Sequence, residues 1–186
     1  VNSGAIFAEM DVGLSPALEG QIGVRLASWQ LDEGREGVWL PKGRLTWRLA
    51  QGHRLSFHSA LSTQALHLLT LNDFGFVPEL WVASSGARPV ERSWQTGLRW
   101  QQSSGPNSTT VDLYLRGMSE LLAFKPGVMF DQDIESLLAQ DVVAGGLGAV
   151  YGLEVSKTHR WDDVKLDMAY AHGRSSRQFE DLNGGR

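Results

Sequence analysis

The chain has 186 residues, with 42% hydrophobic and 20% charged side chains and a formal net charge of −4. That charge gives no case for a nucleic-acid binder. The absence of cysteine excludes disulfides, thiolate catalysis and Cys-ligated metals, and no apolar run is long enough for a transmembrane helix.

The pattern along the chain is one of short alternating stretches. A strand sends successive side chains to opposite faces, so a period of two predicts a sheet with one apolar and one polar face. The first strand is expected over Ala5–Val12, with Ile6, Ala8, Met10 and Val12 against Phe7, Glu9 and Asp11. Pro16 marks a tight turn. The second strand runs from Leu18 toward Trp29, and Asp32–Gly37 reads as a polar loop. The third ends in Arg44–Leu49. After a turn at Gly52, the fourth carries Leu55, Phe57 and Leu61. Leu69–Val90, with two Gly and two Pro, reads as a long loop.

The fifth strand is expected over Ser93–Trp100 and the sixth over Val111–Arg116, joined by a turn around Gly105 and Pro106. Phe124–Ala144 reads as a second long loop, with a short helix over Asp133–Ala139. The seventh strand centres on Tyr151–Val155, His159–Asp162 reads as a turn, and the eighth covers Val164–Tyr170. Connections after the first, third, fifth and seventh strands are short; those after the fourth and sixth are long. The one after the second is short for its side.

This sorting is what outer-membrane barrels show, with short turns at one rim and long loops at the other. Tryptophan adds a second sign. Trp47, Trp100 and Trp161 sit beside short turns, while Trp29, Trp39 and Trp94 sit at the opposite strand ends. Two such rows match the girdles that aromatic rings form in the headgroup zones. Arg25, Arg44, Arg48, Arg99, Arg116, Glu154, Lys165 and Asp167 fall on the face opposite the aliphatics. They are expected to face a wet lumen, because a midplane charge on the lipid side costs about 2–4 kcal/mol. The expected fold is all-β: an antiparallel, up-and-down transmembrane β-barrel fragment of about eight strands. Two rival readings stand beside it. One is a passive porin or adhesin-like barrel; the other is a soluble β-sandwich or lipocalin-like binder with a dry aliphatic face.

Several segments, in order, resemble a known family. Gln64–Leu69 leads into Phe76–Val82; Ala87–Leu98 is similar to a strand opener after a long outer loop; Val111–Tyr114, Met118–Phe124, Gly146–Glu154, Tyr170 and Arg177–Asn183 follow. Together they resemble the C-terminal part of the barrel of a TonB-dependent outer-membrane receptor. The narrower likeness is to the Bacteroidetes type with a carboxypeptidase-regulatory-like N-terminal domain. The resemblance implies a plugged barrel of about twenty-two strands in the outer membrane of a Gram-negative bacterium. It implies energised import of a scarce nutrient through the TonB complex, engaged by an N-terminal plug. Residues 1–186 then form a partial barrel domain without that plug, and both ends read as cuts in a longer protein.

Ligand contacts in such a receptor are expected in the long loops. Phe74, Phe76, Trp81 and Phe130 are the candidates, and packing of loop on loop is an equally good reading of them. No catalytic residue, metal or cofactor is expected. Gly145–Gly148 lacks the Lys-Ser/Thr of a P-loop. Asp131–Val142 has Ser136 where a calcium loop needs Gly. The five histidines, 53, 58, 67, 159 and 172, show no metal-ligand spacing and read as isolated turn or surface residues.

Overall fold

A computed structural model describes residues 2–31, 34–70, 79–128, 134–180 and 182. Ten strands are seen among them: β1 (Asn2–Ser15), β2 (Leu18–Leu31), β3 (Gly34–Ala50), β4 (His53–Gln64), β5 (Leu66–Thr70), β6 (Glu79–Ala83), β7 (Glu91–Ser104), β8 (Asn107–Phe124), β9 (Val142–Trp161) and β10 (Val164–Gln178). One helix, α1 (Ile134–Gln140), precedes β9. Eight strands form one antiparallel sheet in the order β1-β2-β3-β4-β7-β8-β9-β10, and β5 and β6 pair separately. Every strand of the large sheet is next to its neighbour in sequence, β5–β6 aside, which is the up-and-down order expected.

The strands are longer than the alternation suggested. β9 has 20 residues and β8 has 18, against the roughly 9–11 that cross a bilayer. Gly34–Gly37 belong to β3 and not to a loop, so β2 and β3 form a close hairpin. His159 and Arg160 continue β9, whose hairpin with β10 closes at Trp161–Val164. The stretch read as a loop from Leu69 holds the β5–β6 hairpin.

The register shows a uniform slant. One ladder row passes through Leu18, Trp47, Leu55, Trp100, Val111, Val155 and Tyr170. Leu18 itself closes the first short hairpin, opposite Ser15. Leu55 lies two residues from the closing residue His53, Val111 four from Asn107, and Tyr170 six from Val164. The hairpins therefore recede by one residue per strand. A shear of that size tilts strands by about 36° in a closed barrel, and this stagger is what lets a sheet curl into a cylinder wall.

The sheet is a single layer. Ile22, Leu45, Leu98, Leu113 and Met168, which share one face, are all exposed, and no second layer covers them among the described residues. A β-sandwich would bury that face. Buried apolar residues collect elsewhere. Ala27, Trp29, Ala65 and Val90 form one cluster; Leu69, Val82 and Leu122 form another, with Leu138 of α1 packed against it. Both lie at the end of the sheet that carries the long connections.

Candidate functional site

Two surfaces and one node follow from this geometry. The first surface is the apolar face. Cross-strand partners on it include Met10–Ile22, Leu45–Phe57, Leu98–Leu113 and Leu113–Leu153. Trp47, Trp100 and Trp161 stand near the short turns of this face. Trp94 and Tyr151 each stand ten residues from the closing residue of their hairpin, Ser104 and Trp161. Trp39 also lies toward the loop end. Charges on this face keep to its margins. Arg35 and Arg92 lie near the loops. Arg174 is ten residues from Val164, level with Tyr151, and Lys157 is four residues from Trp161, level with Trp100. Long basic side chains at such depths reach the headgroups. Trp29 does not belong to the upper row. Its register with Ser3 and Glu36 puts it on the opposite face, where it is buried at 8% exposure against Ala27, Ala65 and Val90. Its end of the strand was legible, and the alternation of β2 already sets it with Arg25 and away from Leu26; what local pattern does not show is its burial under Ala65 and Val90.

The second surface is the polar face, and the register puts there all eight charged residues expected on it. Pairs cross between strands. Arg99 Nε meets Asp112 Oδ1 at 2.5 Å, Lys42 meets Glu9 at 2.5 Å, and Arg48 pairs with Glu19. Two glycines on this face let side chains lie flat across the sheet. A Cβ on Gly152 would stand 2.5 Å from Tyr114 Oη, and one on Gly97 would stand 2.5 Å from His58 Cε1. Removing the side chain lets a ring cover the neighbouring strand and lets the wall curve.

The node lies under the β5–β6 hairpin. The burial of β5 alternates, so His67 and Leu69 face inward while Leu66 and Leu68 face outward. His67 is not a surface histidine as its isolation suggested: it is 4% exposed. Its Nε2 lies 3.0 Å from Ser84 Oγ, and its Nδ1 lies 4.0 Å from Glu91 Oε2. Glu91 Oε1 in turn lies 3.9 Å from Arg116 Nη2. Burial lowers the His67 pKa; Glu91 and a hydrogen bond to the Pro89 carbonyl oppose it, and Arg88 adds to the lowering. Burial thus favours the neutral imidazole, and its hydrogen bonds to Ser84 and the Pro89 carbonyl tie β5 to the segment that leads into β7. No sequence signal marked it, because Ser84 and Glu91 are distant along the chain.

Of the four aromatic candidates, Trp81 is placed. It pairs with Leu68 on the outer side of the hairpin and is 61% exposed. Phe74, Phe76 and Phe130 lie outside the described residues. The helix expected at Asp133–Ala139 is seen at Ile134–Gln140. No group of three potential metal ligands occurs among the described residues.

No protein-family model and no curated protein sequence matches the chain. In structure it is similar to the FrpB iron transporter from Neisseria meningitidis. The TM-score is 0.67 to the apoprotein of the F5-1 variant and 0.65 to the F3-3 variant. Each comparison covers 95% of this chain at 12% identity. The chain spans only 26% of the FrpB chain. At that identity the likeness is one of fold: the eight-stranded sheet has the shape of part of a transporter's β-barrel.

Proposed function

We propose that the chain is a stretch of wall, with its outer loops, from a TonB-dependent outer-membrane receptor that imports a scarce nutrient by energy-coupled transport. The observation that carries this reading is the uncovered apolar face of a uniformly staggered sheet. A soluble protein rarely leaves more than a few hundred Å² of contiguous apolar surface open, and hydrocarbon is the solvent that suits such a face. The free edges of β1 and β10, each with one partner among the described residues, fit a wall continued by further strands, since unpaired edges invite association. The FrpB neighbours, named as iron transporters, support transport as the role. The narrower class with a carboxypeptidase-regulatory-like domain rests on the sequence segments alone.

In this proposal lipid covers the apolar face, water and the plug cover the polar face, and the hairpin bearing Trp81 belongs to the ligand side. Energy coupling is the part that separates a receptor from a passive porin or adhesin. The full-length protein, purified in detergent, is titrated with the periplasmic domain of TonB. Saturable binding is the expected result; a folded barrel with no binding leaves the passive alternative.

A further inference from the structure

β3 carries Pro41 in mid-strand, and the hydrogen-bond pattern says which neighbour loses by it. Arg48 N donates to Ala17 O at 2.8 Å, toward the first turn and β2. The β2–β3 register then runs without a shift from Leu18–Trp47 to Leu31–Gly34. Successive N–H groups of a regular antiparallel strand point to opposite neighbours. Arg48 and the even residues below it therefore face β2, and Pro41 faces β4. Proline has no N–H to offer there. The β3–β4 ladder stops one residue short of it, at Lys42–Ala60, although β3 runs on to Gly34 and β4 to Gln64.

Where the strands part, a cavity of about 570 Å³ opens. That is within the range of small-molecule sites, about 300–1,000 Å³. Leu40 and Leu61 border it from the two parted strands, and Trp29 adds an aromatic wall. Three charged residues also line it. Lys42 and Glu9 neutralise each other at 2.5 Å. Arg25 has no ion-pair partner among the described residues, so the lining carries one uncompensated positive charge. Thr63 Oγ1, also at the cavity, is buried without a hydrogen-bond partner.

We propose that this seam binds an organic monoanion with an apolar tail, entering from the polar face. Arg25 takes the carboxylate, a bidentate match for its guanidinium. The tail lies along Leu40 and Trp29. The seam itself rests on the register; that the polar face carrying Arg25, Leu40 and Trp29 meets water rests on the barrel reading.

The test uses the full-length protein in outer-membrane vesicles and two photoreactive probes, a diazirine-bearing dodecanoate and the matching dodecanol. Heat-modifiability on a gel first establishes that each variant is folded and inserted, so failure of the barrel is seen separately. The acid is expected to label the peptides holding Leu40 and Leu61 about tenfold more than the alcohol, as a charged hydrogen bond implies. Arg25→Gln removes that preference. Pro41→Ile restores the missing N–H, zips the strands and lowers labelling by both probes. Equal labelling by acid and alcohol, an inserted but unlabelled protein, or unchanged labelling of Pro41→Ile overturns the proposal. Competition by sodium benzoate and not by dodecanoate overturns the role of the apolar tail.

Discussion

The middle of the sheet and its loop end solve the same problem in opposite ways. Between the turns and the loops, the eight strands of the large sheet form one layer, and Leu98, Leu113 and Met168 stay exposed. At the loop end the chain folds back on itself and makes small dry clusters around Trp29 and around Val82. The loop end behaves like a soluble protein, burying its apolar groups in protein. The middle leaves that task to its surroundings. A charge placed on the apolar face should therefore be costly in membrane, while the same charge on the polar face should be tolerated.

The largest expected effect sharpens that contrast. Leu113→Arg lies at the centre of the apolar face and should cost about 4 kcal/mol of folding in lipid. Thr110→Arg, on the polar face opposite Ser156, should cost little. Urea-dependent refolding of the full-length protein into lipid vesicles measures both; equal effects would remove the distinction between the faces.

The loop end should fail by itself. Leu69→Ala empties the cluster shared by Leu69, Val82 and Leu122 and should cost about 3 kcal/mol. Hydrogen exchange should quicken in β5 and β6 and stay slow in β8 and β9. Exchange that quickens across the whole wall would mean the two regions are one cooperative unit.

The polar face is probed by Gly152→Val. The new side chain meets the Tyr114 ring and the His172 carbonyl and should cost about 2 kcal/mol by overpacking. Adding Tyr114→Ala should recover only the part due to the ring, a coupling read from the double-mutant cycle, because the His172 carbonyl stays in place.

The smallest effect is a pH response. The His67 pKa is lowered in the folded hairpin, so the unfolded hairpin takes up a proton first as pH falls. Stability from neutral His67 is intact above its ordinary value of about 6.5 and declines below it. Exchange in β5 should rise over that window, and His67→Gln should flatten the response.

The contrast also explains what the sequence made legible. Period-two alternation survives only where one face meets an apolar phase and the other meets water. Leu18–Leu26 and Val164–Tyr170 were readable on that ground. Gly34–Gly37 and the last eight residues of β10 lack an apolar face, so their strands went unseen. At the loop end burial depends on contacts between distant segments. His67 with Ser84 and Glu91 left no trace in local pattern, and neither did the burial of Trp29 against Ala65 and Val90. The Pro41 residue was visible, but its consequence needed the register, because only the direction of its absent N–H says which ladder breaks.

The most direct measurement of lipid contact uses the absence of cysteine in this chain. Single cysteines at successive positions from Thr110 to Arg116 of the full-length protein are spin-labelled in lipid vesicles, and their collision with oxygen and with a water-soluble nickel complex is recorded. Labels at 111, 113 and 115 should favour oxygen, and labels at 110, 112, 114 and 116 should favour nickel. Nickel access to 113 equal to that at 112, or protection of 113 from both reagents, contradicts a hydrocarbon-facing wall.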